Sequence, residues 1–164
     1  MTTGWERLKV LVVDDNRDMR ALLRRLLASG GIREIHEAED GAAALLMLRD
    51  HACDIVMTDL AMTPMNGLEF ASKVRGAGDT LNPLVPIIMI SGYTEKHRVE
   101  AARDAGVTEY LVKPVTPRNL FARINDIVER PRAFVRTASY FGPDRRRKAR
   151  LDYDGPYRRE GDPS

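Results

Sequence analysis

Apolar residues recur along the chain in two alternating rhythms. Leu8–Val13 (LKVLVV) is a short, mostly apolar run of the kind that forms a strand buried on both faces. Asp14-Asp15-Asn16 interrupts it. Met19, Leu22, Leu23, Leu26 and Leu27 then fall at helical spacing, and Ser29-Gly30-Gly31 stops the helix. The pattern predicts a second strand around Ile32–Ala38 and a second helix over Gly41–Arg49, with Ala44, Leu45 and Leu48 inward. Asp54–Thr58 (DIVMT) reads as a third strand that ends at Asp59. The loop after it carries the turn formers Pro64 and Gly67. Leu68, Ala71 and Val74 mark a third helix. Pro86–Ile90 (PIIMI) is a fourth strand, closed by Ser91-Gly92, and Glu95–Ala105 a fourth helix. Glu109–Val112 is a short fifth strand ending at Lys113-Pro114, and Leu120, Phe121, Ile124, Ile127 and Val128 form the stripe of a fifth helix.

This alternation predicts an α/β fold: a doubly wound, five-stranded parallel sheet with helices on both faces. In such sheets sites form beyond the carboxyl ends of the strands. The residues there are Asp14 and Asp15, Asp59, Ser91 and Lys113. Three carboxylates on one edge repel one another, and Mg²⁺ is the natural remedy, since it favours a few carboxylates together with water and phosphate oxygens. A carboxylate beside such an ion can act as a nucleophile toward phosphorus and form an acyl phosphate. The ammonium of Lys113 and the hydroxyl of Ser91 can position the phosphoryl oxygens. The arrangement therefore reads as a site that takes a phosphoryl group onto Asp59. Read alone, Asp14-Asp15 is better taken as a helix N-cap with a solvated charge pair, and Ser91-Gly92 is equally a plain turn. A phosphatase of the haloacid-dehalogenase type would need a second Asp two residues after the nucleophile, where this chain has Ala61. No phosphate-binding G-x-x-x-x-G-K-[ST] loop or dinucleotide G-x-G-x-x-G fingerprint occurs.

Charge divides the picture. The 164 residues carry a net +2, but residues 131–164 hold nine Lys or Arg against five acids, a balance of +4, which leaves residues 1–130 at −2. We therefore expect a lead over residues 1–7, a domain over 8–130 and a basic, partly disordered extension over 131–164. In the extension, Arg145, Arg146, Arg147, Lys148 and Arg150 lie close to Tyr140, Phe141, Tyr153 and Tyr157, a combination able to bind phosphates and stack bases. Phe134, Val135, Tyr140 and Phe141 could dock part of it on the domain or on a second protomer. The extension is too short for a helix-turn-helix DNA-binding domain. The single Cys53 excludes an internal disulfide framework. With no signal-peptide core and no bilayer-length apolar run, the expected location is cytoplasmic.

Residues 8–130 resemble the response-regulator receiver domain of two-component signalling. The resemblance rests on VVDDN (12–16), TDLAMTPMNGLEF (58–70), PIIMISGYT (86–94) and EYLVKP (109–114), in order and at strand ends. It implies a flavodoxin-like sheet of strand order 2-1-3-4-5. It implies that Asp59 is the phosphoacceptor, supplied by a histidine kinase or a histidine phosphotransfer protein. It implies that Asp14, Asp15, Asp59 and the backbone carbonyl of Ala61 hold Mg²⁺, and that Lys113 contacts the phosphoryl group. Ser91 and Tyr110 correspond to the switch hydroxyl and switch aromatic, and Pro114 to a position where a cis peptide is common. The helix-four, strand-five, helix-five face is the family's usual dimer surface, and the downstream partner is an unknown protein. The chain is expected to accept and slowly lose its own phosphoryl group without turning over an external substrate. Ala61 and the bulky Tyr93, near the approach of a hydrolytic water, are the basis for expecting slow loss. Some stand-alone receivers have an arginine-rich C-terminal stretch that binds cyclic di-GMP. Binding of that ligand or of another polyanion at the tail, and a role as a phosphate sink or shuttle in a phosphorelay, are the alternatives.

Overall fold

The strands are short because the apolar runs are short, and they are parallel because each is followed by a helix. In the computed structural model, residues 4–76, 80–92, 94–136 and 140–144 are described. The chain runs β1 (Lys9–Val13), α1 (Arg17–Ser29), β2 (Glu34–Ala38), α2 (Gly41–Asp50), β3 (Ile55–Asp59), α3 (Gly67–Gly76), β4 (Ile87–Ser91), α4 (Lys96–Asp104), β5 (Glu109–Val112) and α5 (Pro117–Glu129). The five strands form one sheet of order β2-β1-β3-β4-β5, with every pairing parallel. The doubly wound topology is as expected. Boundaries differ by a residue or two: β3 includes Asp59, β4 includes Ser91, and β2 starts at Glu34 rather than Ile32.

Alternation along β1 divides the core into two layers. Leu11 and Val13 face Ala44, Leu48, Phe70, Val74 and Ala102, so α2, α3 and α4 cover that side. Val10 and Val12 face Leu23, Leu27, Leu120 and Ile124, so α1 and α5 cover the other. Trp5 joins the second layer, its ring edge-on to Phe121 with 5.6 Å between centroids and its indole beside Gly30 at the end of α1. β3 and β4 are buried along their whole length, which is why they read as continuous apolar runs. Local chemistry sets the helix starts. Asn16 accepts from the Met19 amide, Asp40 from Ala43, and Thr116 and Asn119 form a reciprocal capping box with Pro117 in the first turn.

Past α5 the chain forms an antiparallel hairpin, β6 (Phe134–Arg136) and β7 (Phe141–Pro143). It folds back on the same chain. The Phe134 ring lies 5.0 Å from the guanidinium carbon of Arg75 on α3. Arg132 approaches Glu109 at 3.6 Å and donates to the Asp144 carbonyl at 3.0 Å. Gly142 sits so close to the α4–β5 turn that a Cβ there would stand 3.3 Å from the Gly106 Cα. Here the hairpin docks on its own receiver, the Phe134 ring on Arg75 and Gly142 beside Gly106.

Candidate phosphoacceptor site

Register brings the acidic residues together. Val13 aligns with Thr58, so Asp14 and Asp59 emerge side by side at the carboxyl ends of β1 and β3. Asp15 follows in the turn before α1. Asp14, Asp15 and Asp59 each offer a carboxylate oxygen within 4.8 Å of the other two. Asp14 and Asp59 are buried and Asp15 is exposed. Ser91 aligns with Val112 across β4 and β5, and the Lys113 amide donates to the Ser91 carbonyl at 2.8 Å. Lys113 Nζ then reaches Asp59 Oδ1 at 3.1 Å. Ser91 is buried at the end of β4. Tyr110 is half-buried in β5, opposite Met89, against the layer formed by α2 to α4. Ala61 is exposed in the turn after β3. The Lys113–Pro114 bond is cis, as is Thr63–Pro64. Tyr93 and the cationic cluster Arg145, Arg146, Arg147, Lys148 and Arg150 lie outside the described residues.

Electrostatics reflect the crowding. Burial pushes the Asp14 carboxyl up from 3.8 to about 6, and the charges of Asp59 and Asp15 add to the rise. The Asn16 amide, 2.8 Å from Asp14 Oδ1, and the Lys113 ammonium work in the opposite direction. One lysine against three carboxylates leaves the group short of positive charge. The donor set is all oxygen, partly buried and open at Asp15, which suits a hard divalent ion such as Mg²⁺.

Gly67, at the start of α3, is built into the wall of the site. A Cβ there would fall on the Asp59 carbonyl and lie 2.9 Å from Met89 Cε. Close approach of backbone to backbone is a packing reason for glycine. Gly67→Ala is expected to cost about 1–3 kcal/mol by overpacking, read as a lower urea midpoint.

The matching sequence family is the response regulator receiver domain, over residues 10–125. The chain belongs to that family. Among curated relatives, the receiver is 36% identical over 125 residues to chemotaxis protein CheY-3 of Vibrio cholerae, covering 76% of this chain and 95% of the relative. It is 37% identical over 123 residues to chemotaxis protein CheY of Pseudomonas aeruginosa, covering 75% and 98%. Among solved structures, CheY4 of Vibrio cholerae superposes with a TM-score of 0.67 at 30% identity, covering 73% of this chain and 98% of that one. A response regulator receiver protein from Pseudomonas putida superposes at 0.65 with 32% identity, covering 73% and 97%. The receiver is thus a two-component signalling domain of CheY type. No helix among the described residues is long and apolar enough to cross a membrane.

Two features of the site were assigned no role from the sequence. Gly67 was marked only as a turn former within the TDLAMTPMNGLEF match. Arg20, on α1, donates from Nη1 to the Asp14 carbonyl at 2.7 Å. A main-chain acceptor leaves no mark on the sequence, so nothing in the residue pattern singles Arg20 out.

Proposed function

We propose that this receiver accepts a phosphoryl group on Asp59 from the phosphohistidine of a histidine kinase or histidine phosphotransfer protein, and that the modification switches a protein-interaction surface. The observation that carries this reading is the Asp59 carboxylate, buried at the end of β3, with an ammonium at 3.1 Å and two further carboxylates within 4.8 Å.

A carboxylate oxygen of Asp59 attacks phosphorus. The P–N bond to the donor histidine breaks, its electron pair stays on the imidazole nitrogen, and a P–O bond forms to give the acyl phosphate. The Lys113 ammonium, 3.1 Å from Asp59 Oδ1, supports a role for it in meeting the phosphoryl oxygens. Asp14, Asp15, Asp59 and the Ala61 carbonyl would hold Mg²⁺, which when bound supplies the positive charge the carboxylates lack. The phosphoryl group adds roughly −1.5 to −2 of charge and new acceptor oxygens. Ser91 moves toward those oxygens, and Tyr110 turns into the space beneath the β4–α4 loop. That rearrangement alters the face of α4, β5 and α5. The new contacts made by Ser91 and Lys113 supply the differential interaction that any such switch needs.

In this role the protein loses its own phosphoryl group and turns over no external substrate. Incubation with acetyl phosphate and Mg²⁺, followed by intact mass measurement, is expected to show one added phosphoryl group. Asp59→Asn is expected to show none. Undiminished labelling of the variant would overturn the assignment of Asp59.

A further inference from the structure

Three contacts hold Asp14, and each fixes a different part of it. Its amide donates to the Ala38 carbonyl at 3.1 Å, its carboxylate accepts from the Asn16 amide at 2.8 Å, and its carbonyl accepts from Arg20 Nη1 at 2.7 Å. That carbonyl belongs to the peptide plane joining Asp14 to Asp15. The plane sets where the Asp15 carboxylate points, and Asp15 is the exposed member of the acidic trio. Arg20 is itself braced. Its Nε donates to Glu37 Oε1 at 3.0 Å, and its own amide donates to the Asn16 carbonyl at 3.1 Å. Glu37 stands on β2 in register with Val12 of β1, and Arg24 holds its other oxygen at 2.7 Å. The chain of contacts therefore runs from the sheet through Glu37 to Arg20 and on to the acidic turn. The Arg20 side chain is only 15% exposed, so it does not exchange this geometry freely for water.

We propose that Arg20 is a positioning residue for the cation site: its guanidinium bridges Glu37 and the Asp14 carbonyl, and thereby orients Asp15 for Mg²⁺. The inference rests on the reading of Asp14, Asp15 and Asp59 as the metal ligands. Residues that orient metal ligands contribute strongly to affinity although they never touch the ion. Charge alone predicts the opposite sign, because removing a cation beside three carboxylates favours Mg²⁺ by Coulomb's law. Arg24 is a matched control. It carries the same charge and shares Glu37, but it bonds the Ile35 carbonyl instead of Asp14.

The test is titration calorimetry of Mg²⁺ into the unphosphorylated full chain. Arg20→Gln is expected to weaken binding about tenfold, the lower end for residues that orient ligands. Arg24→Gln is expected to stay near the unaltered protein. Equal or tighter binding by Arg20→Gln overturns the proposal, as does equal weakening by Arg24→Gln. Should Arg20→Gln fail to fold, Arg20→Lys decides the matter. A lysine keeps the charge but presents its donors from one nitrogen, without the spaced Nε and Nη1 that meet Glu37 and Asp14 separately. Partial weakening supports the proposal, and unaltered affinity overturns it. If the unaltered protein binds no Mg²⁺, the ligand assignment fails along with the inference. If it binds and the variants do not differ, only the role of Arg20 fails.

Discussion

Arg75→Met is expected to lower the stability of this protein by about 2–4 kcal/mol and to free the β6–β7 hairpin. Arg75 is 5% exposed, in the last turn of α3. Its Nε donates to the Gly106 carbonyl at 3.0 Å, and its Nη1 to the carbonyls of Pro83 at 2.9 Å and Val85 at 2.6 Å. Its Nη2 stands 3.4 Å from Thr108 Oγ1, which also accepts from the Ile87 amide. One guanidinium thus ties together α3, the approach to β4, the α4–β5 turn and, through the Phe134 ring, the hairpin. Burial lowers its pKa to about 10, so it stays charged at neutral pH. Methionine fills most of the volume but donates nothing. The loss arises because each buried acceptor left without a donor costs about 1–3 kcal/mol, offset in part by the burial cost of the charge itself. At about 2–4 °C per kcal/mol for a chain of this size, the melting temperature falls by roughly 5–15 °C. Hydrogen exchange separates the two consequences. Phe134→Ala removes the ring contacts with Arg75 and with Phe141, whose centroid lies 5.7 Å away, together about 1–2 kcal/mol, and is expected to speed exchange in residues 134–136 and 141–143 while leaving β4 protected. Arg75→Met is expected to speed exchange in both. An unchanged melting temperature would show that the carbonyls find other donors.

Asp14→Asn is expected to stabilise the metal-free protein at pH 7 by on the order of 2–3 kcal/mol, from a shift worth 1.36 kcal/mol per unit. The carboxyl titrates near 3.8 when unfolded and near 6 when folded. Between those values the folded protein binds more protons than the unfolded chain, so stability falls as pH rises from about 4 to about 6, then levels off. Asparagine carries no such cost and can still accept from the Asn16 amide. Its melting temperature should therefore lose this decline. Mg²⁺ narrows the gap. At ten times its Kd a bound ion contributes about 1.4 kcal/mol to the unaltered protein, and the variant, which lacks one of the proposed carboxylate ligands, is expected to gain less. Thermal melts from pH 4 to 8, with Mg²⁺ and with a chelator, check both halves. A variant whose stability declines with pH as steeply as the parent would place the titration on another group.

The fold was legible because its central strands are apolar on both faces and its helices on one. The site was legible because strand ends are where such sheets place chemistry, so Asp14, Asp59 and Lys113 could be placed on one edge from their positions alone. Arg75 was not legible. In the sequence it is one more cation in the last turn of a helix, where cations are common on helix-dipole grounds. Its partners are three carbonyls from loops, and carbonyls belong to every residue type. The hairpin was hidden for a different reason. Its strands have three residues each, too few to establish a period of two, and β7 ends in Pro143, a residue that argues against strand. The aromatic residues pointed to docking but not to a surface. That surface depends on Gly106 at φ +100°, where the turn leaves room for Gly142 and Arg75.

Trp5 has a practical consequence as an optical probe. It is the only tryptophan in the chain, so intrinsic emission reports one location. That location is the seam between Phe121 of α5 and Gly30, beyond the C-terminal end of α1. The thirteen residues of α1, about 20 Å of helix, separate Gly30 from the acidic turn. Fluorescence will therefore follow global unfolding and loosening of the lead, while ion entry at the carboxylates leaves the indole's surroundings unchanged. A silent emission spectrum during a cation titration is therefore the expected result and no sign of failed binding.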